Sequence, residues 1–136
     1  MLKKGDRLPA FSLPNQHGNS IASEMLAGKP LVIYFYPKDF TPGCTREACG
    51  FMESYETLMQ AGAEVIGISA DTPATHKRFA EKYNISFHLL SDLKNEVRKL
   101  FGVKDSLWGI LPGRVTFIFD ADGKLHEVYS SQFKSR

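Results

Sequence analysis

The sequence predicts an α/β protein with a central mixed β-sheet flanked by helices. Strand-like and helix-like segments alternate along the 136 residues, which is the order that parallel crossover connections produce. The segment LVIYFY, residues 31–36, is rich in β-branched and aromatic side chains and fits a strand buried on both faces. The turn DADG, residues 120–123, separates two strand-like segments and predicts a hairpin that adds an antiparallel strand.

The first half of the chain fits two short segments, a buried strand and one long helix. Residues 8–15 fit an edge strand or an extended entry closed by turn residues, and residues 20–26 fit one helical turn. The strand at 31–36 stops at Pro37. From Thr41 to about Gln60, apolar side chains recur at intervals of three and four, as they do on one face of a helix.

The second half repeats the alternation of strands and helices. In order, we predict a buried strand at 63–70, a helix from Pro73 to about Tyr83, a strand at 88–92, a helix to about Phe101, a Gly- and Pro-rich loop at 102–113, and paired strands at 114–119 and 124–130. Asp71 or Thr72 caps the first of these helices. Since no linker or repeat interrupts the pattern, we expect a single domain over residues 1–136.

Composition and charge argue against several classes of protein. A hydrophobic content of 43% and a charged content of 24% are ordinary for a globular domain. A net charge of +2 without a block of basic residues argues against nucleic acid as a partner. The apolar run at 31–36 is far shorter than the roughly 20 residues of a membrane span, and the N-terminus MLKKGDRLPAF has no apolar core of an export signal. We therefore expect a cytoplasmic protein without a membrane partner, its two cysteines reduced at rest.

Both cysteines lie in the segment DFTPGCTREACGF, residues 39–51, at an unusual spacing. Four residues separate Cys44 from Cys49, whereas thioredoxin-type redox pairs and metal knuckles have two. Positions five apart on a helix have Cα atoms roughly 8.6 Å apart, and a disulfide needs about 7 Å or less. The thiols can therefore bond only after the helix unwinds. A metal site is not expected, because other ligands are scattered singly: His17, His76, His88 and His126.

The two cysteines are also unequal in their position on the helix. If Thr41 is the N-cap residue, Cys44 lies in the first turn, where free N–H groups and the helix dipole are predicted to lower the pKa of its thiol. Cys49 lies more than one turn deeper, where this effect has faded. A reactive thiol that meets an oxidant becomes a sulfenic acid, which a second thiol can condense with to form a disulfide. The spacing therefore fits a peroxide-reducing cycle, while an ordinary helix N-terminus stays the simpler alternative.

The segment YPKDFTPGCTREACGF resembles the active-site segment of the peroxiredoxins. Their Pro-x-x-x-Thr-x-x-Cys pattern corresponds here to Pro37, Thr41 and Cys44, and the second cysteine at position 49 is similar to that of the PrxQ subfamily, also called bacterioferritin comigratory protein. The similarity includes GDRLPAFSLPNQHG, VIGISADTPATHKRFAEKY and WGILPGRVTFIFDADGKLHEVY. It implies a thioredoxin-like fold and a thiol-dependent peroxidase without a bound cofactor.

The resemblance also implies a role for each matching residue. Cys44 would be the peroxidatic cysteine and Cys49 the resolving cysteine, which together form an intramolecular disulfide that thioredoxin or a similar dithiol protein reduces. Thr41 would place its hydroxyl on the peroxide, and Pro37 would shield the pocket from water. Arg114 would hold the thiolate and the peroxide with its planar set of donors. Two further residues complete the implied substrate-binding set, namely Gly43 and Glu47.

Several expectations accompany this assignment. Hydrogen peroxide and small alkyl hydroperoxides are the implied substrates, and a monomer is the implied assembly. Phe40 and Trp108 fit either the mouth of the pocket or ordinary packing, while Lys38 and Asp39 are expected to be surface charges. The PrxQ subfamily usually continues with a further helix beyond SSQFKSR, so we expect a shortened member or a fragment.

Two other functions stay open. A thioredoxin-like disulfide oxidoreductase shares the fold but needs the C-x-x-C motif that the sequence lacks. A non-enzymatic redox sensor, in which oxidation of Cys44 unwinds the helix and alters a partner surface, would use the same cysteines.

Overall fold

Strands and helices alternate along the chain in the computed structural model, which describes residues 1–103 and 114–131. The strands are β1 (Ser12–Pro14), β2 (Ser20–Ala22), β3 (Leu31–Phe35), β4 (Glu64–Ser69), β5 (His88–Ser91), β6 (Arg114–Phe119) and β7 (Leu125–Ser131). The α-helices are α1 (Pro42–Gln60), α2 (Pro73–Tyr83) and α3 (Glu96–Leu100), and a short 3-10 helix covers Ser23–Leu26.

Five of these strands form a mixed sheet with the order β5-β4-β3-β6-β7. Strand β3 lies at its centre, parallel to β4 with Ile33 opposite Ile66, and antiparallel to β6 with Phe35 opposite Val115. Strand β5 is parallel to β4, and β7 is antiparallel to β6. The predicted mixed sheet is therefore confirmed. The hairpin adds two antiparallel strands rather than one, because β6 itself runs against β3, a direction that strand composition does not reveal.

The N-terminal region differs from the prediction. Residues 20–26 were expected to form one helical turn, but Ser20–Ala22 is the strand β2, which pairs with β1 in a separate hairpin, and only Ser23–Leu26 is helical. The side chain of Asn15 closes the turn between the two strands by accepting a hydrogen bond from the Asn19 backbone N–H at 3.0 Å. A strand of three residues is too short to show a period of two, so no sequence pattern reveals it.

Strand β3 is buried on both faces, as its composition predicts. The side chains of Leu31, Ile33 and Phe35 lie on one face of the sheet. They pack there with Phe101, which follows the last residue of α3, and with Phe117 of β6. The intervening side chains pack on the other face with residues of α1 and α2, including Cys44 and Phe79. The sheet is therefore covered by helices on both sides, with α1 and α2 on the face that contains the cysteine.

The helices α1 and α2 begin where the sequence predicts. Thr41 is the N-cap residue of α1, with a proline at the first helical position. Thr72 caps α2, and its hydroxyl accepts a hydrogen bond from the Thr75 backbone N–H at 3.2 Å. Gly62 follows the end of α1 with a φ of 82°, a left-handed conformation that glycine adopts without a steric cost.

Two predicted segments fall outside the described residues in whole or in part. The loop expected at 102–113, including Trp108, is described only to residue 103, and the tail is described only to residue 131. Within residues 1–103 and 114–131, no helix combines the length and the hydropathy needed to span a lipid bilayer.

Candidate active site

The first turn of α1 leaves backbone N–H groups free beside Cys44. The first N–H groups of an α-helix have no partner within the helix, and Pro42 has no N–H to donate. Thr41 occupies the N-cap position, but its side chain makes no capping hydrogen bond. Gly43 and Cys44 therefore present N–H groups that neither the helix nor its cap residue satisfies. Such a helix start favours an anion or the oxygen atoms of a polar substrate.

The hydroxyl of Thr41 has two neighbours and only one proton to donate. It donates to the carbonyl oxygen of Lys38 at 2.9 Å. The same hydroxyl and the Lys38 backbone also act on the sulfur of Cys44, where each lowers the pKa of the thiol. Because one proton cannot serve both acceptors, the hydroxyl stays with the carbonyl in the resting thiol state and can turn to the sulfur when the thiolate forms.

Burial dominates the ionisation of Cys44. Its side chain is 2% exposed, and this desolvation raises the pKa of the thiol above its ordinary value. Hydrogen bonds from Thr41 and Lys38 lower this pKa, as does the charge of Arg114, whereas the charge of Glu47 raises it. The lowered pKa predicted from the helix N-terminus alone is therefore wrong for this resting state, because that prediction omits the loss of water around the sulfur.

Arg114 reaches the site from the neighbouring strand. It is the first residue of β6, and Val115, which follows it, pairs with Phe35 at the end of β3. This register puts Arg114 level with the C-terminal end of β3, where the chain leaves the sheet and continues towards α1. Its charge lowers the pKa of both Cys44 and Glu47, so the structure brings these three side chains within electrostatic reach of one another.

Glu47 is the second ionisable group beside the thiol. It lies one turn after Cys44 and is half-buried. Burial raises the pKa of its carboxyl to about 7, against the opposing effect of the Arg114 charge. Its Oε1 atom is buried and has no hydrogen-bond partner in the described part of the chain. Glu47 therefore changes charge near neutral pH, within electrostatic reach of the sulfur.

The second cysteine lies on the same helix and apart from the first. Cys44 and Cys49 are both free thiols, the first buried and the second half-buried. They lie within one uninterrupted helix, α1, for which a spacing of five residues gives a Cα separation of roughly 8.6 Å. Pro37 is half-buried and lies two residues after the end of the central strand β3. The geometry thus keeps the thiols apart, as the spacing predicts.

Sequence reasoning missed a buried polar network beside this site. Asp39, expected to be a surface charge, is 2% exposed, and its Oδ2 atom lies 2.6 Å from Nδ1 of His76. Lys38 is exposed, as predicted. One signal was available in the sequence: His76 shares a helical face with Phe79 and Ala80, so it had to be buried and to need a polar partner.

The same network contains the only group of metal-type ligands found among the described residues. The ligand atoms of Asp39, Asp71 and His76 lie within 4.8 Å of one another. Each of them already bonds to a protein neighbour: Asp71 accepts from the Ser69 hydroxyl at 2.6 Å, and His76 lies against Asp39. The cluster is thus satisfied by its own hydrogen bonds.

Two of the concave regions in the described part of the chain differ in their distance from the cysteines. A cavity of about 300 Å³ lies between the N-terminal segment and the DADG turn, beside Leu31 and Phe119. Leu31 begins β3, whereas the cysteine segment follows the end of that strand, so this cavity is remote from the thiols. A more open groove runs along α1 past Glu47, lined also by Gly50, Phe51, Ser54 and Leu58.

The fold and this site define a thioredoxin-fold protein with a buried cysteine at the start of its first long helix. Comparison with known proteins agrees, because residues 4–128 match the model of the AhpC/TSA family. The chain belongs to the AhpC/TSA family.

Two of the curated relatives of this chain carry the name peroxiredoxin Q. It is 49% identical over 133 residues to the chloroplastic peroxiredoxin Q of Populus jackii, covering 98% of this chain and 62% of that protein. It is 50% identical over 131 residues to the chloroplastic peroxiredoxin Q of Sedum lineare, covering 96% of this chain and 70% of that protein. The chain thus spans between six and seven tenths of these two relatives, and the resemblance to the peroxiredoxins is confirmed.

Solved structures show the same relationship. The peroxidoxin BcpB of Mycobacterium tuberculosis superposes with a TM-score of 0.89 at 38% identity, covering 99% of this chain and 90% of that one. A structure of the Xanthomonas campestris bacterioferritin comigratory protein superposes with a TM-score of 0.81 at 30% identity. That structure was described in relation to the alkyl peroxide reduction activity of the Xanthomonas protein. It covers 92% of this chain and 87% of that one.

The comparisons correct the expected location. We expected a cytoplasmic protein, but both curated relatives described above are chloroplastic, so that expectation is wrong. Two reduced thiols and an ordinary charge balance do not distinguish one compartment from another.

Proposed function

We propose that this chain is a thiol-dependent peroxidase that reduces hydrogen peroxide and alkyl hydroperoxides through Cys44. The observation that carries the proposal is the position of Cys44, which lies in the first turn of α1 beside the hydroxyl of Thr41 and within reach of the Arg114 charge. Family membership supports the reaction class. The activity of the Xanthomonas campestris protein supports alkyl hydroperoxides as substrates.

In the first step, the Cys44 thiolate attacks one oxygen of the peroxide. An S–O bond forms while the O–O bond breaks, so the sulfur is oxidised to sulfenic acid and the peroxide is reduced to water or an alcohol, with a proton taken up by the leaving oxygen. Negative charge moves from sulfur to that oxygen. Donors aimed at both atoms therefore stabilise the transition state more than the ground state. The donors that we propose for this stabilisation are Arg114, the hydroxyl of Thr41 and the N–H groups of Gly43 and Cys44.

The raised thiol pKa has a role in this scheme. A buried thiol stays protonated and unreactive toward general electrophiles at rest. When the proton leaves, Thr41 can turn its hydroxyl from Lys38 to the sulfur, and Arg114 offers a charge that is always present. Glu47 modulates the balance, because it opposes the thiolate only when it is itself ionised. Pro37 limits the access of water from the strand end.

In the second step, α1 unwinds around Cys44 and the thiol of Cys49 attacks the sulfenic sulfur. An S–S bond forms and the S–O bond breaks, which releases water. An external dithiol protein, for which we propose thioredoxin or a similar protein, then reduces the disulfide. We further propose that residues 1–136 act as one domain and as a monomer, without a bound cofactor.

The test is stopped-flow mixing of reduced protein with hydrogen peroxide, followed by turnover with thioredoxin and thioredoxin reductase. Cys44→Ser should lose all turnover. Cys49→Ser should react once with peroxide and then stall as sulfenic acid or over-oxidise, which mass spectrometry of the intact protein detects.

Three results would count against parts of this proposal. Turnover in Cys44→Ser would contradict the assignment of the nucleophile, and an unmodified Cys44 in peroxide-treated Cys49→Ser protein would contradict the order of the two cysteines. Oxidation of Cys44 without turnover by any dithiol reductant would favour the redox sensor over the peroxidase.

A further inference from the structure

A buried hydrogen-bond network holds the loop that precedes α1. We call the side chains of Tyr36, Asp39, Asp71 and His76 the loop clamp. The hydroxyl of Tyr36 donates to Oδ1 of Asp39 at 2.6 Å, and Oδ2 of Asp39 lies 2.6 Å from Nδ1 of His76. The backbone N–H of Asp39 donates to Oδ2 of Asp71 at 2.8 Å. Three separate contacts thus hold one residue of the loop.

The clamp connects the loop to the rest of the same sheet face. Nε2 of His76 lies 3.0 Å from the carbonyl oxygen of Leu90, so both ring nitrogens face an acceptor. The side chains of Asp39 and His76 are both 0% exposed. The short contact between these two buried side chains therefore fixes the loop before α1 relative to α2.

The loop carries backbone strain directly after the clamped residue. Phe40 has a φ of 68°, a left-handed conformation that is costly for a residue with a bulky side chain. Its ring packs edge-on against Phe79 of α2, with 5.1 Å between the centroids. Such a conformation persists only where the surroundings impose it. Here, the clamp at Asp39 and the ring contact with Phe79 do so.

The clamped residue lies between the two loop residues that act on the sulfur. Lys38 precedes Asp39 and Thr41 follows Phe40, and both the Lys38 backbone and the Thr41 hydroxyl are hydrogen-bonding neighbours of the Cys44 thiol. The position of Asp39 therefore sets the position of both. Neither Asp39 nor His76 is among the groups that shift the pKa of that thiol, so we expect the pair to act on the reaction through the loop.

We propose that Asp39 and His76 are positioning residues, which hold the loop so that Lys38 and Thr41 align the Cys44 sulfur with the peroxide. This inference rests on the proposed function. It differs from a purely structural role of the pair, which would stabilise the fold without affecting the alignment of the reacting atoms. Misalignment of about 1 Å is enough to lower a rate by up to about 100-fold.

Two rate constants measured at Cys44 separate these roles. In Cys49→Ser protein, the limiting rate constant at high pH is measured for hydrogen peroxide and for iodoacetamide. Both reactions need the thiolate, but only the peroxide needs the loop donors in place. The ratio of the two rate constants therefore reports alignment independently of the thiol pKa.

Removing the clamp should lower this ratio. Asp39→Ala, His76→Leu and the double variant should each lower the peroxide rate constant about tenfold or more, while the iodoacetamide rate constant stays within about twofold. The double variant leaves no buried charge without a partner, so it separates alignment from stability. Asp39→Asn keeps an acceptor for Tyr36 and a hydrogen bond to His76, and should retain the ratio within about twofold.

Two other variants complete the design. His88→Leu is the matched control, because it removes a half-buried histidine that bonds to Asn15 at 3.2 Å away from the clamp, and it should leave the ratio unchanged. Phe40→Val alters an exposed side chain and disfavours the left-handed backbone, so it should lower the ratio even if the clamp variants do not fold.

The outcomes distinguish the failure of this inference from the failure of the proposed function. If the Cys49→Ser parent does not react with peroxide at Cys44, both are wrong. If the parent reacts but the folded clamp variants and Phe40→Val all keep its ratio, the positioning role alone is wrong and the peroxidase stands.

Discussion

At the scale of single residues, the environment of Cys44 is a balance between burial and charge. Burial of the sulfur raises the pKa of its thiol, and two charges act on that pKa with opposite signs, Arg114 lowering it and Glu47 raising it. Partial burial likewise raises the pKa of the Glu47 carboxyl to about 7. The two acids are therefore coupled, and the charge of the pocket changes with pH over a range in which most surface carboxylates stay ionised.

The raised pKa of Glu47 predicts a pH-dependent stability. Its carboxyl has a pKa of about 7 in the folded chain and an ordinary value of 4.5, so the folded state holds more protons between these values. The stabilisation is complete below pH 4.5 and is lost as the pH rises through 7. Glu47→Gln should therefore raise the free energy of unfolding at pH 8, by no more than about 3 kcal/mol, and change it little at pH 5.

Urea unfolding at both pH values measures this effect. Glu53→Gln, at an exposed carboxylate of the same helix, is the matched control and should show no such dependence. A Glu47→Gln variant whose stability relative to the unsubstituted chain is the same at pH 5 and pH 8 would contradict the assignment.

At the scale of elements, the proposed mechanism requires α1 to be stable enough to hold Cys44 in place and weak enough to unwind. Gly50 is suited to this, because it is exposed, lies within α1 directly after Cys49, and a Cβ atom there would meet nothing within 4 Å. A glycine inside a helix costs roughly 0.5–1 kcal/mol relative to alanine. The residue thus weakens the helix at the segment that the proposed second step requires to open.

Gly50→Ala should slow formation of the Cys44–Cys49 disulfide without affecting the attack on peroxide. A gain of roughly 0.5–1 kcal/mol in helix stability corresponds to a rate about two- to fivefold lower, if unwinding limits the step. The measurement is the disappearance of dimedone-reactive sulfenic acid in rapid-quench samples. Thr57→Ala, at an exposed position of the same helix beyond the cysteines, is the control. Equal slowing in both variants would show that the unwinding is not confined to the cysteine segment.

At the scale of the whole molecule, the sheet separates two apolar cores, and only one of them contains the proposed reactive cysteine. The core around Phe35, Phe101 and Phe117 lies on the face opposite α1 and contains no residue of the proposed reaction. The other core contains Cys44 itself, packed below α1 with Tyr34 and Phe87. Changes in the first core should therefore alter stability and leave the chemistry unchanged.

Phe117→Ala tests this separation. The ring is 0% exposed and packs edge-on against Phe35 and Phe101, with centroids 5.8 Å and 5.2 Å apart. Its removal should lower the free energy of unfolding by about 3–5 kcal/mol, measured by urea titration. Tyr129→Ala, at a side chain that is 57% exposed on β7, should change it by less than about 0.5 kcal/mol. A Phe117→Ala variant that is folded but reacts differently with peroxide would contradict the separation.

Local patterns predicted most of the regular elements. Strand β3 followed from LVIYFY, helix α1 from its apolar period and its Thr-Pro start, and the cap of α2 from Thr72 and Pro73. The hairpin partner β2 did not follow, because three residues show no period. The direction of β6 beside β3 did not follow either, because it depends on the path of the chain between elements and not on their composition.

The sequence by itself determined the position of the proposed reactive cysteine and its separation from the second one. Cys44 in the first turn of a helix and Cys49 five residues further are consequences of covalent order and helix geometry, which act over short distances. Only the tertiary structure decided the chemical state of that group. Burial raises the pKa of the Cys44 thiol, contrary to the prediction, and the charges of Arg114 on β6 and Glu47 on α1 also shift it. Asp39 contacts His76, which lies 37 residues further along the chain. Desolvation and charge are summed over everything that packs around an atom, and that sum exists only once the chain is folded.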